Sequence, residues 1–339
     1  MKSGTFVATI ALIAAFTAPL AAEPVEDFYK GKPLRLIVGA NAGDGYDIWS
    51  RLIARHMGRH VPGKPNIIVQ NMPGAGTIAA ANYLFNIAPK DGTVFGSFSR
   101  SLPPQAVLNR ANIKFDPRQF GWLGSSEAAN RICAVSAASK AKTIDDVFVQ
   151  QVLVGGTGAG MVPTFLPTLL NKLLGTKFRV VEGYGGAGAI FLAMERRELD
   201  GVCMASSTLL GPRNDLIQKG AVKFLFSMEA KPMAGAEGVP TMFDRLKTVE
   251  QRQIVSFINA GLDYGRPFAA PPGLPPDRLA ALQAAFRATM DDSEFRAEAE
   301  GLRYHITYTS PAEMKETTAR MYATPRAIID EAAAMMPNE

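Results

Sequence analysis

Four glycine-rich loops, each directly after a strand-like apolar segment, constrain this 339-residue chain more than any other feature. Leu34-Arg35-Leu36-Ile37-Val38 runs into Gly39-Ala40-Asn41-Ala42-Gly43-Asp44-Gly45, and Ile67-Ile68-Val69 is followed by Pro73-Gly74-Ala75-Gly76. Residues 151–154 lead to Gly155-Gly156-Thr157-Gly158-Ala159-Gly160, and residues 178–182 to Gly183-Tyr184-Gly185-Gly186-Ala187-Gly188. After the first loop, Ile48, Leu52, Ile53 and Met57 share one helical face while Arg51, Arg55 and Arg59 share another, which predicts an amphipathic helix over residues 47–60. A second helix is expected over 77–87, the turn signal Pro89-Lys90-Asp91-Gly92 follows, and 93–98 reads as a third strand. Residues 34–98 thus spell β-α-β-α-β, and the middle of the chain repeats the pattern, with a helix ending near Arg197 and a strand over 201–205. That order calls for parallel strands joined by right-handed crossovers, with a binding crevice beyond the strands' carboxyl ends, where all four loops sit.

The remainder reads as helices over 277–290 and 291–299 and a third opened by Ser310-Pro311-Ala312-Glu313. Ser310 and Glu313 fit a capping box, Pro311 takes the favoured first helical position, and Pro325 should break the last helix. The segment 267–276 (PFAAPPGLPP) reads as a crossover or linker. At the other end, Lys2, an apolar run over 6–16 and small residues up to Ala22 describe a secretory signal peptide over residues 1–22, too short to span a bilayer.

Composition narrows the function classes. The net charge of +5 is modest, and Arg and Lys are interleaved with Asp and Glu, so no basic face for nucleic acid can be read. Two cysteines are too few for a disulfide framework. In an exported chain Cys133 and Cys203 could pair, but nothing in the sequence fixes their separation, and two buried small hydrophobes are the simpler reading.

Gly183, Gly185 and Gly188 match a dinucleotide fingerprint, but the match then fails. Asp200 precedes the next strand, and Ser206-Ser207-Thr208 stand where a ribose-binding acid should be. What survives is that backbone N–H groups at helix starts suit an anion, a carboxylate included. Asp47 is most simply a helix cap; Asp44 lies nearer the glycines and faces either the cleft or solvent. His56 and His60 have the spacing of a helical metal pair but no glutamate beside them, so a solvated helix end is expected and no metal site. His305 stands alone, and no catalytic constellation, P-loop or cofactor motif is visible.

Asp27-Phe28-Tyr29-Lys30-Gly31-Lys32, the loop from Gly39 to Asp47, Asn71-Met72-Pro73-Gly74-Ala75-Gly76, Ala88-Pro89-Lys90-Asp91-Gly92, the last two glycine loops and Tyr322-Ala323-Thr324-Pro325 together resemble the Bug family. These are the periplasmic solute receptors of tripartite tricarboxylate transporters, and the resemblance runs in order over the whole chain beyond residue 22. It implies an α/β, two-lobed periplasmic-binding-protein (Venus flytrap) fold, each lobe a mainly parallel sheet flanked by helices. Lobe 1 would comprise 23–125 and 262–339, and lobe 2 would comprise 126–261. It implies a monomeric receptor without catalytic activity, cofactor or metal that passes a small organic acid to permease subunits. The ligand's carboxylate would lie against Ala42, Gly43, Asp44 and Gly45 and against Pro73, Gly74, Ala75 and Gly76, with Ser97 and Ser99 as polar walls. Thr157, Gly158, Ala159 and Gly160, with Tyr184, Gly185 and Gly186, would close from the other lobe. Two departures from the family pattern, Asp44 in the carboxylate loop and Met72 where an arginine is common, put a plain dicarboxylate in doubt and leave an amino acid or an aromatic or nitrogen-containing acid open. The alternative is an α/β enzyme that uses the loops for a nucleotide or phosphorylated substrate.

Overall fold

The computed structural model of the protein describes residues 23–108, 112–127, 130–158, 161–211, 213–229, 236, 238–304 and 306–335. Residues 1–22, with the expected signal peptide, and His305 lie outside them. Among the described residues no helix is long and apolar enough to cross a membrane.

Ten strands form two five-stranded sheets among the described residues. They are β1 (Leu34–Val38), β2 (Ile67–Asn71), β3 (Val94–Ser97), β4 (Gly121–Ser125), β5 (Arg131–Ser136), β6 (Val152–Gly155), β7 (Phe178–Val181), β8 (Gly201–Ala205), β9 (Val222–Ser227) and β10 (Pro267–Ala270). The first sheet has the order β2-β1-β3-β10-β4 and the second β7-β6-β8-β5-β9, so the two-lobed α/β architecture is present. β1 pairs in parallel with β2 and β3, and β6 with β7 and β8, as the β-α-β-α-β pattern requires. Each sheet also contains one reversed strand, β10 between β3 and β4 and β5 between β8 and β9, so both sheets are mixed.

The alternation of a strand explains how β1 serves two layers. Leu34, Leu36 and Val38 join the core under the helix Gly45–Met57, while Ile37 packs with Ile78, Ala81 and Leu84 of the helix Ile78–Asn86 on the other face. The helix Gly45–Met57 buries Trp49, Leu52, Ile53 and Met57, each side chain contributing about 1.5–3 kcal/mol. Trp49 lies against the ring of Tyr304 at 4.7 Å.

Three expectations need correction. The segment 267–276 is not only a linker: residues 267–270 are β10, an inner strand of the first sheet, and Pro267 is tolerated because it opens the strand. His56 and His60 are not a solvated helix end. They hydrogen-bond Glu298 and Asp292 at 2.6 and 2.7 Å and tie the helix Gly45–Met57 and the turn after it to the helix Ser293–Gly301. Cys133 and Cys203 are not separate small hydrophobes; they stand opposite each other on β5 and β8 and form a disulfide. The capping box of Ser310 and Glu313 is present, and the helix Pro311–Tyr322 ends before Pro325.

Candidate functional site

The loop after β1 is shaped by the first turn of its own helix. Asp44, rather than Asp47, is the cap: its Oδ1 accepts the Tyr46 N–H at 3.0 Å. Asp47 sits on the first turn, where backbone N–H groups lack helical partners, and turns back into the loop. Its Oδ2 accepts the Gly43 N–H at 2.8 Å and Arg51 Nε at 3.0 Å, and its Oδ1 accepts Asn71 Nδ2 at 2.8 Å. Asn71 Nδ2 also donates to the Ala40 carbonyl at 2.9 Å, which fixes the loop to the end of β2. Burial alone would raise the Asp47 carboxyl, but Arg51, the Gly43 amide and Asn71 outweigh it and hold the carboxyl below its usual range.

The loop after β2 is strained. Gly74 has φ 145°, and Ala75, Gly76 and Thr77 follow at φ 44°, 58° and 79°, a run of left-handed conformations that costs of order 1–3 kcal/mol at each non-glycine residue. The Thr77 hydroxyl accepts the Ser99 N–H at 2.9 Å, so the loop is braced against the segment after β3.

The loops after β6 and β7 face these two across a cleft. Asn41 Nδ2 donates to the Gly185 carbonyl at 3.4 Å, and Gly158 and Gly186 lie close to the opposite loops: a Cβ on Gly186 would be 3.4 Å from Asp44 Oδ2, and one on Gly158 3.8 Å from the Gly76 nitrogen, both within ordinary van der Waals contact. Two chambers result. The outer encloses about 290 Å³ between Asn41 and Asp44, Pro73 to Thr77, Thr157, Gly158 and Gly185. The inner encloses about 230 Å³ and adjoins the outer at Asp44, Thr157 and Met161.

Of the residues expected at the site, Pro73, Gly74, Ala75, Gly76, Gly158 and Gly185 line the outer chamber, Gly43, Gly45 and Ser99 the inner, and Asp44 and Thr157 both. Ala42 is exposed and lines neither, Ser97 is buried and its hydroxyl has no partner among the described residues, Tyr184 packs against the second lobe's core, and Gly186 faces Asp44. Ala159 and Gly160 lie outside the described residues.

The inner chamber contains charged groups that the sequence reading missed. Arg266, Arg100, Tyr46, Tyr304 and Arg213 line it, beside the apolar Ile48, Val162, Phe191 and Met204. Behind it Glu127 is buried between Arg100, at 3.1 Å, and Arg266, and accepts the Ser207 hydroxyl. Burial raises the Glu127 carboxyl, but Arg266 and Arg100 more than offset that, so it is held below its usual range. Asp44 is the opposite case: desolvation pushes its carboxyl up, against the Tyr46 amide and the Arg266 charge. No local pattern could have exposed this cluster, because Glu127 and Arg266 are 139 residues apart. A larger open depression of about 700 Å³ lies elsewhere, but Glu229, Asp263, Glu313 and Glu316 line it and would repel an acid.

No protein-family model matches the chain. It is 23% identical over 344 residues to "UPF0065 protein in gbd 5′ region" of Cupriavidus necator, with 98% of each chain covered. Among solved structures, the periplasmic binding protein BugD superposes with a TM-score of 0.71 at 16% identity, covering 91% of this chain and 100% of its own. MatC from Rhodopseudomonas palustris, solved with bound malate, superposes with a TM-score of 0.67 at 19% identity over 89% of this chain and 99% of its own. The likeness read from the glycine loops therefore holds in three dimensions: the chain has the two-lobed fold of the Bug-type periplasmic binding proteins.

Proposed function

We propose that this protein is a periplasmic receptor, exported by the segment 1–22, that closes its two lobes over a small organic acid and delivers it to the permease subunits of a tripartite tricarboxylate-type transporter. The lobes are residues 23–125 with 262–339, and 126–261. The observation that carries the reading is the meeting of four strand-end loops across one cleft, with Asn41 of the first lobe donating to Gly185 of the second. A relative of the same fold that holds malate supports a carboxylate as the ligand class. A hinge closure in which ligand binds the closed form better than the open one suffices as mechanism; no bond needs to be made or broken.

A thermal-shift screen of residues 23–339 against C3 to C8 mono- and dicarboxylates, aromatic acids, amino acids and NAD(P) tests this. Ligand at about 100 times its dissociation constant adds roughly 2.7 kcal/mol, which moves the midpoint by several degrees. A shift with one class of acid and none with nucleotides is expected; a shift with NAD(P) alone would favour the enzyme alternative and overturn the proposal.

A further inference from the structure

Asp44 and Arg266 both line the inner chamber, and each keeps polar atoms without a hydrogen-bond partner among the described residues, the Arg266 guanidinium lying over the Tyr46 ring at 4.8 Å. Arg266 is only 4% exposed and its Nε is taken by Glu127, yet Nη1 and Nη2 have no hydrogen-bond acceptor among the described residues. They come near Gly45, where a Cβ would lie 3.1 and 3.3 Å from them. Asp44 spends Oδ1 on the Tyr46 N–H, while Oδ2 points across the cleft toward Gly186 and has no donor among the described residues. Asp44 and Arg266 form no ion pair with each other, although both line the same space.

Charge counting decides what such a chamber takes. Arg100, Arg266 and Arg213 supply three positive charges, and Glu127, Asp44 and Glu195, which lies 3.7 Å from Arg213, supply three negative ones. A dicarboxylate would add two further negative charges beside Asp44 in a desolvated space, which is costly. A ligand that is neutral overall but carries separated charges completes both open groups and leaves the balance unchanged. The other walls, Phe191, Met204, Val162 and Ile48, are apolar, so its remainder is apolar too. At about 230 Å³ the chamber is smaller than the ~300 Å³ at which pockets for drug-sized ligands begin.

Resting on the receptor reading above, we propose that the inner chamber binds an α-amino acid with an apolar side chain, its carboxylate on Arg266 Nη1 and Nη2 and its ammonium on Asp44 Oδ2. The guanidinium offers two parallel donors to a carboxylate. Asp44's carboxyl, raised while the chamber is empty, is drawn down by the ammonium, so binding releases a proton when the pH lies near that raised value.

Calorimetric titration of residues 23–339 with leucine and phenylalanine, with their desamino analogues 4-methylpentanoate and 3-phenylpropanoate, and with malate and adipate tests the proposal. The amino acids should bind at least about thirtyfold more tightly than the desamino acids. Asp44→Asn retains a good helix cap and should abolish that preference while leaving the desamino acids unaffected or tighter. Arg266→Gln should weaken both classes; if it does not fold, the Asp44→Asn series decides alone. Equal affinity for amino and desamino acids, or an equal loss for both in Asp44→Asn, overturns the proposal. Binding of malate or adipate without any amino acid overturns it too and leaves the receptor reading standing, whereas silence across all probes counts against both.

Discussion

The backbone of Gly265 packs against the carbonyl oxygen of Glu127 so closely that a Cβ at 265 would overlap it, and Gly265 adopts φ 53°. The two residues belong to the two segments by which the chain passes between the sheets, so the contact lies at the crossing point of the lobes. Gly265→Ala should cost on the order of 3 kcal/mol or more through strain and displacement of the segment. A urea midpoint unchanged from wild type would show that the crossing segments are loosely packed.

Gly74→Asp places a carboxylate in the outer chamber at a backbone angle of 145°, which L residues rarely adopt. The chain should still fold, with a loss of about 1–3 kcal/mol, while affinity for any carboxylate falls at least about tenfold, a factor equal to roughly 1.4 kcal/mol. Unchanged affinity in titration would remove this loop from the binding site.

Asp47→Ala releases the Gly43 amide, Asn71 and Arg51 together. Losing a buried group that serves several donors should cost about 1–3 kcal/mol, and the loop 40–45 should exchange its amide hydrogens faster. Protection equal to wild type at residues 43 and 44 would mean that the helix cap alone holds the loop.

Acid should loosen the seam between the helices Gly45–Met57 and Ser293–Gly301. Burial raises the Asp292 carboxyl, but His60 and the Phe295 and Glu294 amides bring it below its ordinary value; Arg55 and then His56 lower Glu298. Both carboxyls are thus more acidic folded than unfolded. The stability they contribute is complete above their unfolded values near pH 4 and is lost as pH falls through the lower folded values. Urea midpoints measured from pH 7 down to pH 3 should fall less steeply for Asp292→Asn; equal slopes would place the acid sensitivity elsewhere.

The disulfide closes a stretch of 70 residues from β5 to β8, all within the second sheet's part of the chain. Chain-entropy arguments give such a loop about 4 kcal/mol. Cys133→Ala with Cys203→Ala should lower stability by up to that amount while ligand affinity stays within about twofold, because neither cysteine lines a chamber. A large loss of affinity at constant stability would implicate the bridge in lobe closure.

What was legible in the sequence was local. β1 and β8 have the expected bounds because a short apolar run ended by glycine or serine announces itself, and Ser310 and Glu313 sit three residues apart. The reversal of β5 and β10 was not legible, since direction within a sheet depends on partners far along the chain. Asp47 was misread because a cap and a carboxylate that braces the loop before the cap differ by three positions and use the same residue type. Arg266, Glu127 and Arg100 carry no spacing signal at all; only the crossing of the chain between lobes gathers them.

The place of β10 sets an order of assembly. β4 has β10 as its only strand neighbour in the first sheet among the described residues, and β10 lies 40 residues beyond the end of β9, the second sheet's last strand. A chain that emerges amino end first therefore holds every strand of the second sheet before the first sheet can be completed. The lobe that starts first finishes last, and the edge of β3 stays open until residues 267–270 arrive to fill it.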